Sequence, residues 1–212
     1  MNTCYIVCAL DCKPAFVPDK TDLVIGADRG YFTLVKNGLV PDAVIGDFDS
    51  YTGEVECENV VRYPVKKDDT DSALAIKYAV EKGYKTIVIY GAIGGMLDHT
   101  IANISLLGCY TKEGINVSFV DGNNVLFAMQ NKTISFSKEA EGRISIFSFL
   151  ENAHNVCING LMYEVDNYTL TNDRALGVSN EFIGKKSIIS VENGVLLIYT
   201  TKKNYDLHLT FE

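Results

Sequence analysis

Short apolar runs alternate with segments of helical spacing in the first part of the chain. Each run is followed by Gly, Asp or Pro, which is typical of a buried strand. The predicted strands are 4–10, 23–25, 43–45, 86–90 and 117–120. The predicted helices are 31–36, 71–82 and 98–110, and Gly83 gives a stop signal after the second helix. This alternation predicts a mainly parallel α/β sheet domain.

The pattern changes beyond about residue 128, where helical spacing disappears and short strand-like runs follow one another. These runs are 133–136, 143–149, 155–158, 168–170, 188–191 and 195–199. Asn193-Gly194 is a strong hairpin signal. We predict an α/β domain over 1–127 and a small β-sandwich or barrel domain over 128–212. The stretch 202–212 is expected to form an edge strand or a tail.

Composition and charge exclude several kinds of partner. The 212 residues are 47% hydrophobic and carry a formal net charge of −8, which argues against general nucleic-acid binding. No run approaches the ~18 apolar residues of a membrane span, and we see no secretory signal. A small anionic ligand stays possible, because a metal ion neutralises phosphates locally.

None of the six cysteines forms a C-x-x-C pair. Cys4 and Cys8 lie in an apolar run, where cysteine is usually a small hydrophobic residue. A metal site from Cys4, Cys8 and Cys12 is the alternative to core packing. We expect reduced thiols and a cytoplasmic location.

Carboxylates follow the predicted strands or open the predicted helices. Asp47 and Asp49 come directly after the strand at 43–45, where two oxygen ligands can share one divalent cation. Asp71 opens a helix on the same face as its apolar stripe, so burial there is costly without a cation or donor. Asp98 opens the next helix, and Asn103 lies four residues after His99. Turn formation or helix capping is the structural alternative for each of these acids.

Two glycine-rich turns lie between strands and helices. Gly26-x-x-x-Gly30 and Gly91-x-x-Gly94-Gly95 would let backbone N–H groups approach a phosphate at a helix N-terminus. Neither turn is a Walker A loop or a dinucleotide fingerprint. Arg29, Lys66 and Lys67 lie beside these loops and would neutralise phosphate oxygens. Together, the acids and turns favour Mg²⁺-assisted phosphoryl-type transfer from a nucleotide.

An ordered set of motifs then resembles the thiamine pyrophosphokinase family over nearly the whole chain. The matching segments are Gly26-Ala27-Asp28-Arg29-Gly30, Ile45-Gly46-Asp47-Phe48-Asp49-Ser50, Lys67-Asp68-Asp69-Thr70-Asp71, Gly94-Gly95-Met96-Leu97-Asp98-His99 with Asn103, Gly160-Leu161-Met162-Tyr163 and Gly177-Val178-Ser179-Asn180-Glu181-Phe182.

The resemblance implies an enzyme that transfers the diphosphoryl group of ATP to the hydroxyl of thiamine. It implies a homodimer with active sites at the subunit interface. Asp47, Asp49 and Asp71 would hold Mg²⁺ and orient the reacting groups, and Asp71 would accept the hydroxyl proton. The ATP site would comprise Asp28, Arg29, Gly30, Lys67, Asp68, Thr70, Gly94 and Gly95. The thiamine site would comprise Asp98, Asn103, Tyr163, Ser179 and Asn180.

One position departs from the family pattern, which often has Arg where this chain has Met96. If that Arg contacts phosphate, then Arg29 or a lysine must replace it, or ATP affinity falls. The acid-rich pocket suits the thiazolium cation of thiamine, and Mg²⁺ lets it accept a triphosphate.

Two rival functions stay open from the sequence. Asp47-x-Asp49 resembles the nucleophile motif of haloacid dehalogenase phosphohydrolases, although that family places it after the first strand and here it follows the third. A non-catalytic nucleotide or thiamine sensor is the second rival, and the number of carboxylates argues against it.

Overall fold

The computed structural model describes residues 2–47, 55–64 and 69–211. The chain divides into two compact units, Met1–Tyr110 with Gly114–Gly122 and Thr111–Glu113 with Asn123–Glu212. Among the described residues, no helix combines the length and the apolar character needed to cross a membrane.

The first unit is built on a parallel sheet. Its strands are β1 Thr3–Val7, β2 Leu23–Ala27, β3 Ala43–Gly46, β4 Val60–Arg62, β5 Thr86–Tyr90 and β6 Asn116–Asp121. They lie in the order β6-β5-β1-β2-β3-β4, and every neighbouring pair is parallel. The helices that follow strands in this part of the chain are α1 Gly30–Lys36, α2 Asp71–Glu81 and α3 Leu97–Lys112.

The apolar runs become strands because the centre of this sheet is covered on both faces. Ile6 of β1 pairs in register with Ile25 of β2 and Ile89 of β5, and all three side chains are fully buried. The chain builds outward from β1 in two directions, through β2–β4 on one side and through β5 and β6 on the other. Such a reversal of strand order opens a crevice at the carboxyl ends of the strands.

Strand β1 is shorter than the predicted 4–10. Beyond Val7, the Cys8 N–H donates to the Tyr90 carbonyl at 2.8 Å, and the Leu10 N–H donates to the Gly91 carbonyl at 3.1 Å. These bonds hold residues 8–10 against the end of β5 rather than in the regular strand. The shortening therefore brings Cys8 and Leu10 to the sheet edge where ligands bind in such folds.

The second unit is antiparallel in all its described pairings. Its elements are β7 Asn124–Gln130, β8 Thr133–Phe136, β9 Arg143–Asn159, β10 Val165–Leu170, β11 Asn180–Glu181, β12 Ser187–Ser190, β13 Asn193–Thr201, α4 Lys202–Leu207 and β14 Leu209–Phe211. The long strand β9 pairs with β10, β11, β12 and β13 along different parts of its length. Closure of this unit into a small sandwich or barrel stays a prediction.

The boundary expected after residue 127 lies within β7. That strand belongs whole to the second unit, because it pairs with β13 from Asn124 to Gln130. The sequence of an apolar run looks the same whether the run forms the last strand of one unit or the first strand of the next.

The hairpin predicted at Asn193-Gly194 is wrong. β12 pairs with β8 and β9, whereas β13 begins at Asn193 and pairs with β7 and β9. Gly194 has φ +131°, and an added Cβ would lie 2.8 Å from Ala153 Cα. The glycine is therefore used at a register shift against β9, where two backbones approach closely.

The last residues form both an edge strand, as expected, and a helix that the sequence pattern did not predict. β14 pairs with β8, and α4 begins at Lys202. The fully buried Asn204 accepts from the Glu141 N–H at 3.2 Å and donates to the Glu141 carbonyl at 2.9 Å. This tertiary contact fixes a six-residue helix that is too short to show periodicity.

Replacement of Gly30 by alanine tests the packing of α1 on β1. An added Cβ would lie 1.8 Å from the Val7 carbonyl oxygen, so the helix must move away from the strand. We expect Gly30→Ala to lower the free energy of unfolding by about 3 kcal/mol, the upper range for overpacking, as measured by urea denaturation. Gly46→Ala is the graded control, since its Cβ would meet Asp28 Cα at 3.2 Å and should cost less. Equal stability of Gly30→Ala and the parent chain would contradict the close packing.

Candidate active site

A cavity of about 460 Å³ lies at the carboxyl ends of the parallel strands. Residues after β1, β2 and β5 line it, together with the first turns of α2 and α3. They are Cys8, Ala9, Leu10, Ala27, Asp28, Thr70, Asp71, Ser72, Ala92, Gly94, Gly95, Met96, His99 and Asn103. The cavity lies where the strand order reverses between β1 and β5, the usual position of a ligand in such a sheet.

The described lining is acidic. Asp28 and Asp71 contribute carboxylates, His99 contributes an imidazole, and no lysine or arginine is among the lining residues that the structure describes. Two carboxylates without a cationic side chain in the lining favour a positively charged ligand or a metal ion.

Asp28 lies in an unusual backbone conformation directly after β2. Its φ is +51°, and its N–H donates to the Ile45 carbonyl of β3 at 2.7 Å. Aspartate is one of the few non-glycine residues that tolerate this region. An added Cβ at Gly46 would lie 3.2 Å from Asp28 Cα, so the small residue on β3 leaves room for this turn.

Arg29 and Gly30 do not line the cavity. Arg29 is exposed at the N-terminal end of α1, and Gly30 is buried against the end of β1. Gly30 therefore allows α1 to pack closely on β1. This structural role is separate from the contact with phosphate that is predicted for the Gly26-x-x-x-Gly30 turn.

Three consecutive polar residues at the start of α2 line the cavity, namely Thr70, Asp71 and Ser72. Thr70 is the N-cap, and its hydroxyl accepts from the Ala73 N–H at 3.2 Å. Asp71 and Ser72 follow in the first turn, where the positive end of the helix favours a negative charge. Helix capping is the structural alternative to a chemical role at this helix start. In the structure Thr70 is the residue that caps the helix, and Asp71 lines the cavity.

A buried hydrogen-bond chain joins α2, α3 and the end of β5. The Ser72 hydroxyl donates to Asn103 Oδ1 at 2.5 Å, and Asn103 Nδ2 donates to the Ala92 carbonyl at 2.6 Å. Ser72 and Asn103 are each 6% exposed. Asn103 lines the cavity, and its side chain holds three elements together. Ser72 was missed, because a serine in a first helical turn gives no signal before its partner is known.

Both glycines of the Gly94-Gly95 turn adopt left-handed backbone conformations. Gly94 and Gly95 have φ +97° and +65°. The Thr100 hydroxyl lies 3.1 Å from the Gly94 N–H, which donates to it, and 2.9 Å from the Gly94 carbonyl. Met96 lines the cavity and is 62% exposed, so the position where the family often has Arg faces both solvent and the site.

Asp98 is exposed and is not among the cavity residues. Its carboxylate accepts from the His99 N–H at 2.9 Å, and His99 itself lines the cavity. The two residues point to different surroundings, although they are adjacent in the sequence.

Cys8 and Cys12 lie at the end of β1 and in the following loop. Burial raises the pKa of the Cys8 thiol well above its usual range and that of Cys12 to about 11. All six cysteines are free. Among the described residues, no group of three or more His, Cys, Asp or Glu side chains could hold a metal ion, so Cys4, Cys8 and Cys12 do not form the alternative metal site.

The predicted thiamine residues of the second unit form one local arrangement. Asn180 is 3% exposed, accepts from the Tyr163 N–H at 2.9 Å and donates to the Tyr163 carbonyl at 2.7 Å. Tyr163 is thereby fixed with its side chain 65% exposed. Ser179 has φ +57°, and its N–H donates to Ser145 Oγ at 3.0 Å. Asn180 thus positions Tyr163 through its backbone.

Several predicted residues lie outside the described residues, namely Asp49, Lys66, Lys67 and Asp68. Asp47 is described, half-buried after β3, and is not among the cavity residues.

Comparisons with known proteins agree along the chain. Residues 17–119 match the family model described as thiamin pyrophosphokinase, catalytic domain, and residues 131–196 match thiamin pyrophosphokinase, vitamin B1 binding domain. Thiamine pyrophosphokinase of Bacillus subtilis (strain 168) is 33% identical over 188 residues, covering 85% of this chain and 87% of that protein.

Solved structures show the same fold. The crystal structure of thiamine pyrophosphokinase from Bacillus subtilis has a TM-score of 0.83 and 29% identity, covering 94% of this chain and 99% of that one. The crystal structure from Geobacillus thermodenitrificans has a TM-score of 0.81 and 27% identity, covering 94% of this chain and 97% of that one. The predicted mixed α/β, sheet-rich fold is confirmed.

The relatives and the strand-end cavity define an enzyme of the transferase class. The chain belongs to the thiamine pyrophosphokinase family, which confirms the resemblance seen in its motifs.

Replacement of Asn103 by alanine tests its structural role. The change leaves the Ser72 hydroxyl and the Ala92 carbonyl without their partner, so we expect the free energy of unfolding to fall by about 2–4 kcal/mol. Ser72→Ala leaves Asn103 Oδ1 without its partner and should cost about 1–3 kcal/mol, the smaller of the two losses. Urea denaturation measures both. Full stability of Asn103→Ala would contradict the structural role of this side chain.

The thiol of Cys12 should resist alkylation in the folded protein. With its pKa raised from 9.0 to about 11, the reactive thiolate is about one molecule in a thousand at pH 8, about 100-fold less than for an ordinary thiol. Iodoacetamide labelling followed by mass spectrometry should show slow modification that accelerates about tenfold per pH unit. Equal rates in the folded and the urea-unfolded chain would contradict the raised pKa.

Proposed function

We propose that this enzyme transfers the diphosphoryl group of ATP to the hydroxyl of thiamine, giving thiamine diphosphate and AMP. The observation that carries the proposal is the acidic cavity at the strand ends, with Asp28 and Asp71 in its lining and no lysine or arginine among the described lining residues. In this reaction the thiamine hydroxyl oxygen bonds to the β-phosphorus of ATP, and the bond from that phosphorus to the oxygen of the α-phosphate breaks.

Asp71 is proposed to accept the proton of the thiamine hydroxyl. Its position in the first turn of α2 places a carboxylate in the cavity lining, on a helix whose N-cap and buried Ser72 fix the backbone. A general base must be held within hydrogen-bond reach of the proton it takes, and a fixed first turn serves that need. Leaving AMP carries the electrons of the broken bond on its phosphate.

Mg²⁺ is proposed as the metal, held by Asp47, Asp49 and Asp71. When bound, it neutralises the phosphates and polarises the transferred group. Mg²⁺ is usually bound by one or two carboxylates together with substrate phosphates, so Asp71 in the described lining suits it without a larger cluster.

The nucleotide is proposed to bind along the two glycine turns and the start of α2. Gly94 and Gly95, with Thr70 and Asp28, line the cavity, and the Gly95 N–H is proposed to meet a phosphate oxygen, because the Gly94 N–H already donates to Thr100. Lys67, Asp68, Arg29 and Gly30 complete the proposed ATP site. Because Met96 cannot pair with phosphate, we propose that Arg29 or Lys67 supplies that charge.

The residues proposed for thiamine binding are Asp98 and Asn103 in the first unit and, considered separately, Tyr163, Ser179 and Asn180 in the second. An exposed aromatic ring held by its backbone, as Tyr163 is, suits the thiazolium cation, since cations are attracted to the faces of aromatic rings. We also propose a homodimer with active sites at the subunit interface, and a cytoplasmic setting that accords with six free cysteines.

Turnover of purified protein with ATP, thiamine and Mg²⁺ tests the function. We expect AMP and thiamine diphosphate in equal amounts, and removal of Mg²⁺ with a chelator should abolish both. Asp71→Asn should lower turnover by about 10²–10⁴-fold, because it removes a positioned acid–base group. Asp69→Asn is the matched control, since Asp69 is exposed two residues away, and it should keep most activity.

The product distribution separates this reaction from its rivals. ADP or inorganic phosphate in place of AMP would overturn the diphosphoryl transfer, and a phosphorylated Asp47 would favour the phosphohydrolase. Binding of ATP and thiamine without any turnover would favour the sensor.

A further inference from the structure

A second cavity, of about 590 Å³, lies within the antiparallel unit and has the opposite electrostatic character. It is lined by Ser135, Ser137, Lys138, Glu139, Gly184, Lys185, Lys186, His208 and Thr210. None of these residues belongs to the proposed reaction site. The lining contains three lysines, one histidine and a single glutamate, on a chain whose net charge is −8.

The strand pairing places hydroxyl groups beside these lysines. Ser135 of β8 pairs directly with Thr210 of β14, so their side chains stand on the same face of the sheet edge. Ser137 follows two residues after Ser135, and its N–H donates to the His208 carbonyl at 3.0 Å. The cavity thus combines the hydroxyls of Ser135 and Thr210 with cationic side chains, the donor types that bind phosphate oxygens.

His208 lines this cavity and is held beside Ser137. Its Nδ1 lies 3.0 Å from Ser137 Oγ, while its Nε2 is buried without a hydrogen-bond partner among the described residues. Because Nε2 has almost no exposed surface, it is not itself a contact for a ligand in the cavity.

Glu139 is the one carboxylate in the lining. The Ser137 hydroxyl donates to it, which, together with the nearby Lys138 charge, lowers the pKa of this carboxyl below its ordinary value. Glu139 is therefore ionised at neutral pH and repels an incoming anion, which the lysines must outweigh. The lining therefore combines lysines that attract an anion with one carboxylate that repels it.

We propose that this cavity binds a small molecule that carries phosphate groups with at least two negative charges. Its volume is within the range of small-molecule sites and exceeds the space that a single phosphate needs. Inorganic diphosphate and the phosphates of a nucleotide share the required chemistry. The site is distinct in residues from the candidate active site and acts whether or not the proposed reaction is correct.

Titration with inorganic diphosphate in the absence of Mg²⁺, followed by amide NMR, tests the site by location. We expect shifts at Ser137, Gly184 and His208. Lys138→Ala with Lys185→Ala should weaken binding at least about tenfold, because two charge-assisted contacts are lost. Lys82→Ala with Lys132→Ala is the matched control, since it removes the same charge at exposed positions outside the cavity, and it should leave the affinity nearly unchanged.

Glu139→Gln should change the affinity in the opposite direction and tighten binding several-fold, because the substitution removes a negative charge that repels the anion. Parallel titrations with AMP and ATP separate the two sources: tighter binding of a nucleotide identifies a nucleotide site, and tighter binding of diphosphate identifies an inorganic one. Shifts confined to the Gly94 turn, an affinity that the paired lysine substitutions do not change, or no shift at these residues would each overturn the proposal.

Discussion

Parallel pairing of β1 between β2 and β5 is the constraint on which the rest of the first unit depends. The three strands bury isoleucines in register, and burial of large aliphatic side chains is the main source of stability in such a sheet. Parallel strands point their carboxyl ends the same way. The loops after β1, β2 and β5 therefore meet at one edge, and the cavity forms there.

The polar interior of the site is supported by a few buried bonds. Ser72 and Asn103 tie the first turn of α2 to α3 and to the Ala92 carbonyl after β5. Because these groups are buried, loss of one partner leaves another polar atom unpaired, which costs more than the net value of the bond itself. This arrangement fixes the backbone from which Asp71 reaches the cavity.

The acidic strand-end cavity and the lysine-lined cavity differ in charge because they are built differently. The first gathers acids at the ends of parallel strands and the start of a helix, while the second gathers lysines around the hydroxyl-bearing edge of β8 and β14. A net charge of −8 for the whole chain hides this contrast. Local electrostatics depends on which side chains the fold brings within a few ångströms of each other.

The sequence by itself determined the parallel α/β character, most strand and helix positions and the family, because apolar periodicity and ordered motifs are local properties. It also marked Asp28, Asp71, Gly94, Gly95 and Asn103, which do line one cavity. Only the tertiary structure decided that Gly30 packs on Val7, that Asn103 and Asn180 hold backbones, that Asp98 stays exposed and that Gly194 serves a register shift. The glycine and asparagine contacts each depend on a partner elsewhere in the chain, and a local pattern carries no record of that partner.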